Sequence, residues 1–169
     1  MRFNLVDQIT EVVPGKRLSA KKYLTLGEEY LADHFPTFPV MPGVLQVQAL
    51  VEVSSWLWRV TSDFAHSVIV LREVRGAKYG MFVEPGRCFD MQSELVRVEE
   101  SGLALFKVKG HVEGTQALSA QLLLAAYNIP DATDATRQVD AELIVMLRRK
   151  YTFLIGNRLG EISASPVAG

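Results

Sequence analysis

The chain has 169 residues and a mass of 18.8 kDa, a length typical of one domain with a short appendage. Its 18 Lys and Arg residues nearly balance 19 Asp and Glu residues, so it lacks the basic excess of most nucleic-acid-binding proteins. The single cysteine, Cys88, excludes an intrachain disulfide framework, and every apolar run is far shorter than the ~20 residues of a membrane span. We therefore expect a cytoplasmic globular domain that binds neither nucleic acid nor membrane.

A predicted strand at residues 18–26 is followed by a segment that is dense in proline. Pro36, Pro39 and Pro42 are spaced three residues apart, and each fixes φ and removes a backbone hydrogen-bond donor. Residues 34–43, which we call the proline loop, are therefore predicted to be stiff and non-helical.

A long helix is predicted directly after this loop. Residues 44–60 contain neither Gly nor Pro and are apolar around most of the helix circumference, which is typical of a central, buried helix. The polar residues Gln48, Glu52, Ser55 and Arg59 are spaced four, three and four residues apart, so they form one narrow stripe along it.

The remainder of the first 129 residues is predicted to be mainly β-structure. Strands are expected at 68–74, 77–83, 89–98, 103–112 and 118–127, with a turn at Pro85-Gly86. One long helix with a run of antiparallel strands indicates an α+β fold, in which a single sheet could wrap around the helix.

Residues 130–169 are predicted to be a separate appendage to a domain formed by residues 1–129. A polar linker comes first, an amphipathic helix follows at 139–154, and a disordered tail is expected beyond Gly160. No set of His, Cys, Asp and Glu residues has metal-ligand spacing, so we expect neither a metal nor another cofactor.

The junction between the proline loop and the long helix carries the most chemical information. Gly43, at the start of the helix, would expose its amide without a side chain in the way, and helix-end amides stabilise a developing oxyanion. His34, on the preceding loop, is a candidate general base. Together they could polarise an acyl carbonyl and move a proton beside it.

The segment HFPTFPVMPGVL, residues 34–45, resembles the signature of the FabZ-type 3-hydroxyacyl-[acyl-carrier-protein] dehydratases. The resemblance implies a hot-dog fold, an edge-to-edge homodimer or a hexamer built from three such dimers, and a site at the dimer interface. It also implies conversion of β-hydroxyacyl thioesters on acyl carrier protein to trans-2-enoyl thioesters, in fatty-acid or related acyl synthesis.

Transferred residue by residue, the resemblance makes His34 the base that takes the α-proton and Gly43 the donor to the thioester carbonyl. Phe35, Pro42 and Val44, within the same signature, are expected to help bind the substrate.

The chain departs from this family at the catalytic acid. The family glutamate falls fourteen residues after the histidine, where this chain has Gln48, and Glu52 follows one helical turn later. Glutamine can hydrogen-bond but cannot supply the proton. Glu52 could be the acid, displaced about 6 Å along the axis; His34 could return the proton while Gln48 orients a water; or dehydration could be lost.

Two other functions are compatible with the same residues. One is a hot-dog acyl thioesterase in which Glu52 activates a water, and the other is a non-catalytic acyl-binding or pairing subunit.

Overall fold

The computed structural model describes residues 4–35, 37–129 and 133–156. Within these ranges the chain forms six strands, two α-helices and a single-turn 3-10 helix at Glu29–Leu31. In chain order they are β1 (Gln8–Val13), β2 (Arg17–Tyr23), α1 (Gly43–Thr61), β3 (Val68–Tyr79), β4 (Cys88–Val98), β5 (Leu103–Val112), β6 (Thr115–Tyr127) and α2 (Asp134–Ile155). Of the helices in the described part of the chain, neither is long and apolar enough to cross a membrane.

The six strands form one antiparallel sheet in the order β1-β2-β4-β5-β6-β3. The hairpin β1-β2 lies beside the meander β4-β5-β6, and β3 pairs with β6 to form the opposite edge. The α+β prediction is confirmed, although β1 has no counterpart among the predicted strands.

The helix α1 is the centre of the fold, and the sheet curves around it. It begins one residue before and ends one residue after the predicted helix. Leu50, Val53 and Leu57 are completely buried. The Ser54 hydroxyl lies 2.8 Å from both the Leu50 carbonyl and the Ser93 hydroxyl of β4, so the polar groups at this contact are paired.

The prediction of two strands at 68–74 and 77–83 is wrong. A single strand, β3, continues to Tyr79 through a register shift between Arg75 and Lys78. This irregularity contains Gly76, whose φ of +59° suits a residue without Cβ. The continuous ladder to β6 therefore overrides the break that Gly76 indicates in the sequence.

The chain leaves the sheet at Gly80, and this exit shapes the surroundings of the proline loop. The Gly80 amide still bonds to the Ala117 carbonyl at 2.8 Å, and a Cβ at this position would lie 2.2 Å from the Gln116 carbonyl oxygen. Beyond it, the Val83 carbonyl accepts a hydrogen bond from the Met41 amide at 2.9 Å. Residues 80–83 therefore line the proline loop instead of extending the sheet.

The helix α2 packs on the end of α1 and includes the amphipathic helix predicted at 139–154. Tyr151 lies between the rings of Trp56 and Phe64, with centroid distances of 6.2 and 5.7 Å. Leu154 and Ile155 are buried in the core. The predicted disordered tail beyond Gly160, and residues 130–132 of the predicted linker, lie outside the described residues.

The packing of α2 predicts a large difference between neighbouring residues. Leu154 is 3% exposed and Phe153 is 80% exposed. Leu154→Ala should lower the free energy of unfolding by roughly 2–5 kcal/mol, because it removes a buried side chain and leaves a cavity. The matched control Phe153→Ala should change it by under about 0.5 kcal/mol. Urea unfolding measures both, and equal effects would show that α2 does not pack as described.

Candidate active site

A cavity of about 370 Å³ lies where the proline loop, the first turns of α1 and the end of β3 meet. The proline loop and α1 contribute one wall, and the chain after β3 contributes the other. The lining residues are His34, Phe35, Val40, Met41, Gly43, Gln46, Tyr79, Gly80, Met81 and Phe82. Its surface is mainly apolar, with polar groups at a few positions, as in many binding sites for small molecules.

A tight turn places His34 and Phe35 at this cavity. Phe35 has a φ of +49°, an unusual conformation for a residue with a bulky side chain, and its carbonyl accepts a hydrogen bond from the Phe38 amide at 2.8 Å. The ring of Phe35 is exposed and lies 4.4 Å from the half-buried His34 ring. The turn therefore places the ring of the predicted base, His34, beside the ring of Phe35.

Gly43 is the first residue of α1 and also lines the cavity. Its amide has no hydrogen-bond acceptor among the described residues. A Cβ at this position would lie 2.9 Å from Cε1 of Tyr79, so the ring packs directly on the glycine. Of its neighbours, Pro42 is the buried residue before the helix, and Val44 is 73% exposed and does not line the cavity.

Two polar residues of the cavity are absent from the predicted site. Gln46 is 3% exposed, and its Nε2 donates to the Met41 carbonyl at 3.2 Å, while its Oε1 has no partner among the described residues. Tyr79 is at the end of β3 with its hydroxyl 3.4 Å from the Gly43 carbonyl oxygen. The sequence contains a signal for Gln46, because it is a polar residue that lies outside the polar stripe of an otherwise apolar helix. It contains none for Tyr79, which approaches Gly43 only in the folded chain.

The polar stripe of α1 lines a different cleft, of about 200 Å³. Gln48 is exposed there, Glu52 is half-buried, and Arg59 is 9% exposed. The other side of the cleft is formed in part by Leu147 and Lys150 of α2. Within one chain, the structure therefore does not bring Gln48 or Glu52 into the cavity of His34.

Burial and nearby cations act in opposite directions on Glu52. Burial raises the pKa of its carboxyl, and the positive charges of Lys150 and Arg59 partly offset this increase. Burial also lowers the pKa of Arg59 to about 10, and its guanidinium lies 5.4 Å from the centre of the Trp56 ring. Glu52 is thus a half-buried carboxyl with a raised pKa, next to two cations.

The cavity of His34 combines a base with a free amide, so it can take a proton and stabilise the negative charge that forms on a neighbouring carbonyl oxygen. No carboxyl group is among the described residues that line it. This pairing suits proton abstraction next to a thioester, and a complete elimination also needs a proton donor for the leaving group.

Solved structures with the same fold include dehydratases and other proteins. The dehydratase heterocomplex ApeI:P from Xenorhabdus doucetiae has a TM-score of 0.62 at 15% identity, covering 81% of this chain and 90% of that chain. A sigma28-regulated virulence protein from Campylobacter jejuni, Cj0977, has a TM-score of 0.59 at 14% identity, covering 79% and 91%. At these identities the likeness establishes the hot-dog fold alone.

Sequence relatives are more informative. The 3-hydroxyacyl-[acyl-carrier-protein] dehydratase FabZ of Janthinobacterium sp. (strain Marseille) is 36% identical over 137 residues, which are 79% of this chain and 87% of the relative. FabZ of Listeria monocytogenes serotype 4b (strain CLIP80459) is 33% identical over 128 residues, 76% and 88% of the two chains. Residues 1–121 match the model of the FabA-like domain, and with relatives this similar the chain belongs to the FabA-like family, among proteins of the FabZ type.

Proposed function

We propose that the protein is a 3-hydroxyacyl-[acyl-carrier-protein] dehydratase, which converts a β-hydroxyacyl thioester to the trans-2-enoyl thioester and water. The observation that carries this proposal is the placement of His34 and the free Gly43 amide in one largely apolar cavity. The names of the relatives support the same reaction and a carrier-protein substrate. We also propose a cytoplasmic location, which the single half-buried cysteine, Cys88, fits.

In this proposal His34 is the base and Gly43 binds the carbonyl. The thioester oxygen accepts a hydrogen bond from the Gly43 amide, which stabilises the enolate that forms when His34 takes the α-proton. The acyl chain lies against the apolar wall formed by Val40, Met41 and Met81. Phe35 borders the same cavity, and Pro42 sets the start of the helix.

The proposal includes a homodimer that forms through β3. This strand of 12 residues is an edge of the sheet, so one side of its backbone has no strand partner within the described chain. Leu71 and Val74 on it are both 37% exposed. Antiparallel pairing of two β3 strands would cover them and bring α1 of each subunit towards the other subunit's cavity.

The dimer gives Gln48 and Glu52 their proposed roles. Gln48 is exposed on α1, which supports a role in which it enters the partner's cavity and hydrogen-bonds the substrate hydroxyl or a water. Glu52 lies one turn deeper in the cleft, and it is a candidate proton donor because burial raises the pKa of its carboxyl.

His34→Ala tests the proposed base. The variant should lose about 10²–10⁴-fold of the hydration rate of a crotonyl thioester, followed by loss of enoyl absorbance, because it lacks the general base. The matched control is His111→Ala, which removes a half-buried histidine of β5 that does not line the cavity. Unchanged turnover in a folded His34→Ala protein would rule out this mechanism.

Gln48→Glu tests whether the exchange of residues on α1 limits the rate. Restoring a carboxyl at the position where the family has its acid should raise turnover, because a carboxyl can protonate the leaving hydroxyl and an amide cannot. Gln92→Glu, which places the same charge on an exposed position of β4, should have no effect. A rate that is unaltered by Gln48→Glu would mean that residue 48 does not reach the reacting hydroxyl.

Val74→Asp tests the proposed dimer. A charge on the β3 edge should shift the protein towards the monomer in sedimentation velocity and lower activity in parallel, because burying an unpaired carboxylate is costly. Val98→Asp, at a 55% exposed position at the end of β4, is the matched control. A Val74→Asp protein that stays dimeric would contradict pairing through this edge.

A further inference from the structure

The elimination needs a proton donor for the departing hydroxyl, and neither residue of the α1 stripe lines the cavity of its own His34. We propose that Tyr79 is this donor, so that the base and the acid come from the same chain. This inference rests on the proposed dehydratase function and adds a catalytic residue to it.

The position of Tyr79 is fixed by two glycines. Its ring packs on Gly43, where a Cβ would lie 2.9 Å away, and the next residue, Gly80, is held by its bond to Ala117. The phenol is therefore anchored beside the amide that is proposed to bind the thioester carbonyl. A substrate bound to that amide would place its β-carbon near the Tyr79 hydroxyl.

The hydroxyl of Tyr79 is available to a ligand. Its distance of 3.4 Å to the Gly43 carbonyl oxygen is too long for a strong hydrogen bond between oxygens, so little is lost when the hydroxyl turns to a substrate. The residue is 56% exposed and lines the cavity together with His34.

Gln46 provides the complementary acceptor. Its Oε1 is buried without a hydrogen-bond partner in the described part of the chain, on a residue that lines the same cavity. Buried acceptors without partners are rare, and a substrate hydroxyl that donates to this oxygen would satisfy it. The lone pairs of that hydroxyl would then be free to accept the proton of Tyr79.

The alternative donor, Glu52, is in a less favourable place. Its carboxyl lines the cleft between α1 and α2 and can reach a reacting hydroxyl only in the partner's cavity. Glu52 is also one helical turn further along α1 than Gln48. In addition, the positive charges of Lys150 and Arg59 favour its ionised form, which has no proton to donate.

The proposed reaction couples proton transfers at His34 and Tyr79 to loss of the β-hydroxyl. The α-proton passes to a ring nitrogen of His34, and the electrons of the C–H bond form the enolate, stabilised by the Gly43 amide. The enolate electrons form the double bond between the α- and β-carbons as the C–O bond breaks. The departing oxygen keeps the electron pair of that bond and takes the phenolic proton of Tyr79 to leave as water. The phenolate then recovers the proton held by His34, directly or through water, so no proton is gained or lost overall.

A comparison of leaving groups tests this role. Wild type and Tyr79→Phe are assayed for formation of the crotonyl thioester from 3-hydroxybutyryl and 3-fluorobutyryl thioesters of N-acetylcysteamine, a short mimic of pantetheine. Fluoride leaves without protonation, so it needs the base but no acid. Tyr79→Phe should lose about 10²-fold or more of water elimination while it retains fluoride elimination near the wild-type rate.

Two further variants complete the experiment. Tyr127→Phe removes a hydroxyl at the end of β6, on a residue that does not line the cavity, and should behave as wild type. Glu52→Gln tests the alternative donor, and it should not lower water elimination more than fluoride elimination. Thermal melting should be unchanged in Tyr79→Phe, because the ring that packs on Gly43 is retained.

Three outcomes would overturn the inference. These are wild-type water elimination by Tyr79→Phe, equal loss of both eliminations in that variant, or selective loss of water elimination in Glu52→Gln. A wild-type protein that eliminates neither water nor fluoride would instead overturn the proposed function, and the role of Tyr79 would fall with it.

Discussion

The burial of α1 is the constraint on which the rest of the structure depends. A helix that is apolar on most of its surface must be covered on nearly every side, and the curved sheet and α2 provide this cover. Two of its buried hydroxyls, those of Ser54 and Ser55, bond to carbonyls one turn earlier. Because α1 cannot shift without exposing this surface, its first residue, Gly43, has a fixed place. The cavity is built around that residue.

The sequence was informative where the determining interactions are local. The bounds of α1 follow from an uninterrupted apolar run after Pro42, and the stripe of Gln48, Glu52, Ser55 and Arg59 follows from helix periodicity. The antiparallel strands β4 to β6 likewise follow from alternation and turn residues. These features required no knowledge of which segments meet in the folded chain.

The features that sequence patterns missed arise from long-range contacts. Gly76 looks like a break between strands, but pairing with β6 carries β3 past it to Tyr79. The approach of Tyr79 to Gly43 joins residues 36 positions apart, and no local pattern encodes it. The unpaired Oε1 of Gln46 is also a result of long-range contacts, because the groups that surround this oxygen are set by the folded chain. The candidate site was therefore predictable at His34 and Gly43, which the loop signature contains, and not at the residues that complete its cavity.

The position of Glu52 has a physical counterpart in α2. Burying a carboxylate in a cleft costs free energy unless cations are near, and Arg59 and Lys150 line the same cleft as Glu52. Lys150 belongs to α2, and its ammonium lies 5.9 Å from the centre of the Trp56 ring on α1. The appended helix thus supplies a charge that the position of Glu52 requires.

Because Glu52 lies in the cleft between α1 and α2 and residue 48 is a glutamine, an elimination needs its proton donor from elsewhere or from a partner subunit. General acid catalysis depends on the distance between donor and leaving group, and a donor carried by a partner subunit is only as well placed as the dimer interface allows. Tyr79 avoids this dependence, because its ring touches the residue that is proposed to bind the carbonyl. The α-proton and the β-hydroxyl are on adjacent carbons, so a base and an acid that border one cavity can act on both. The partner's Gln48 would then need only to orient the substrate, a task for which an amide is as suitable as a carboxyl.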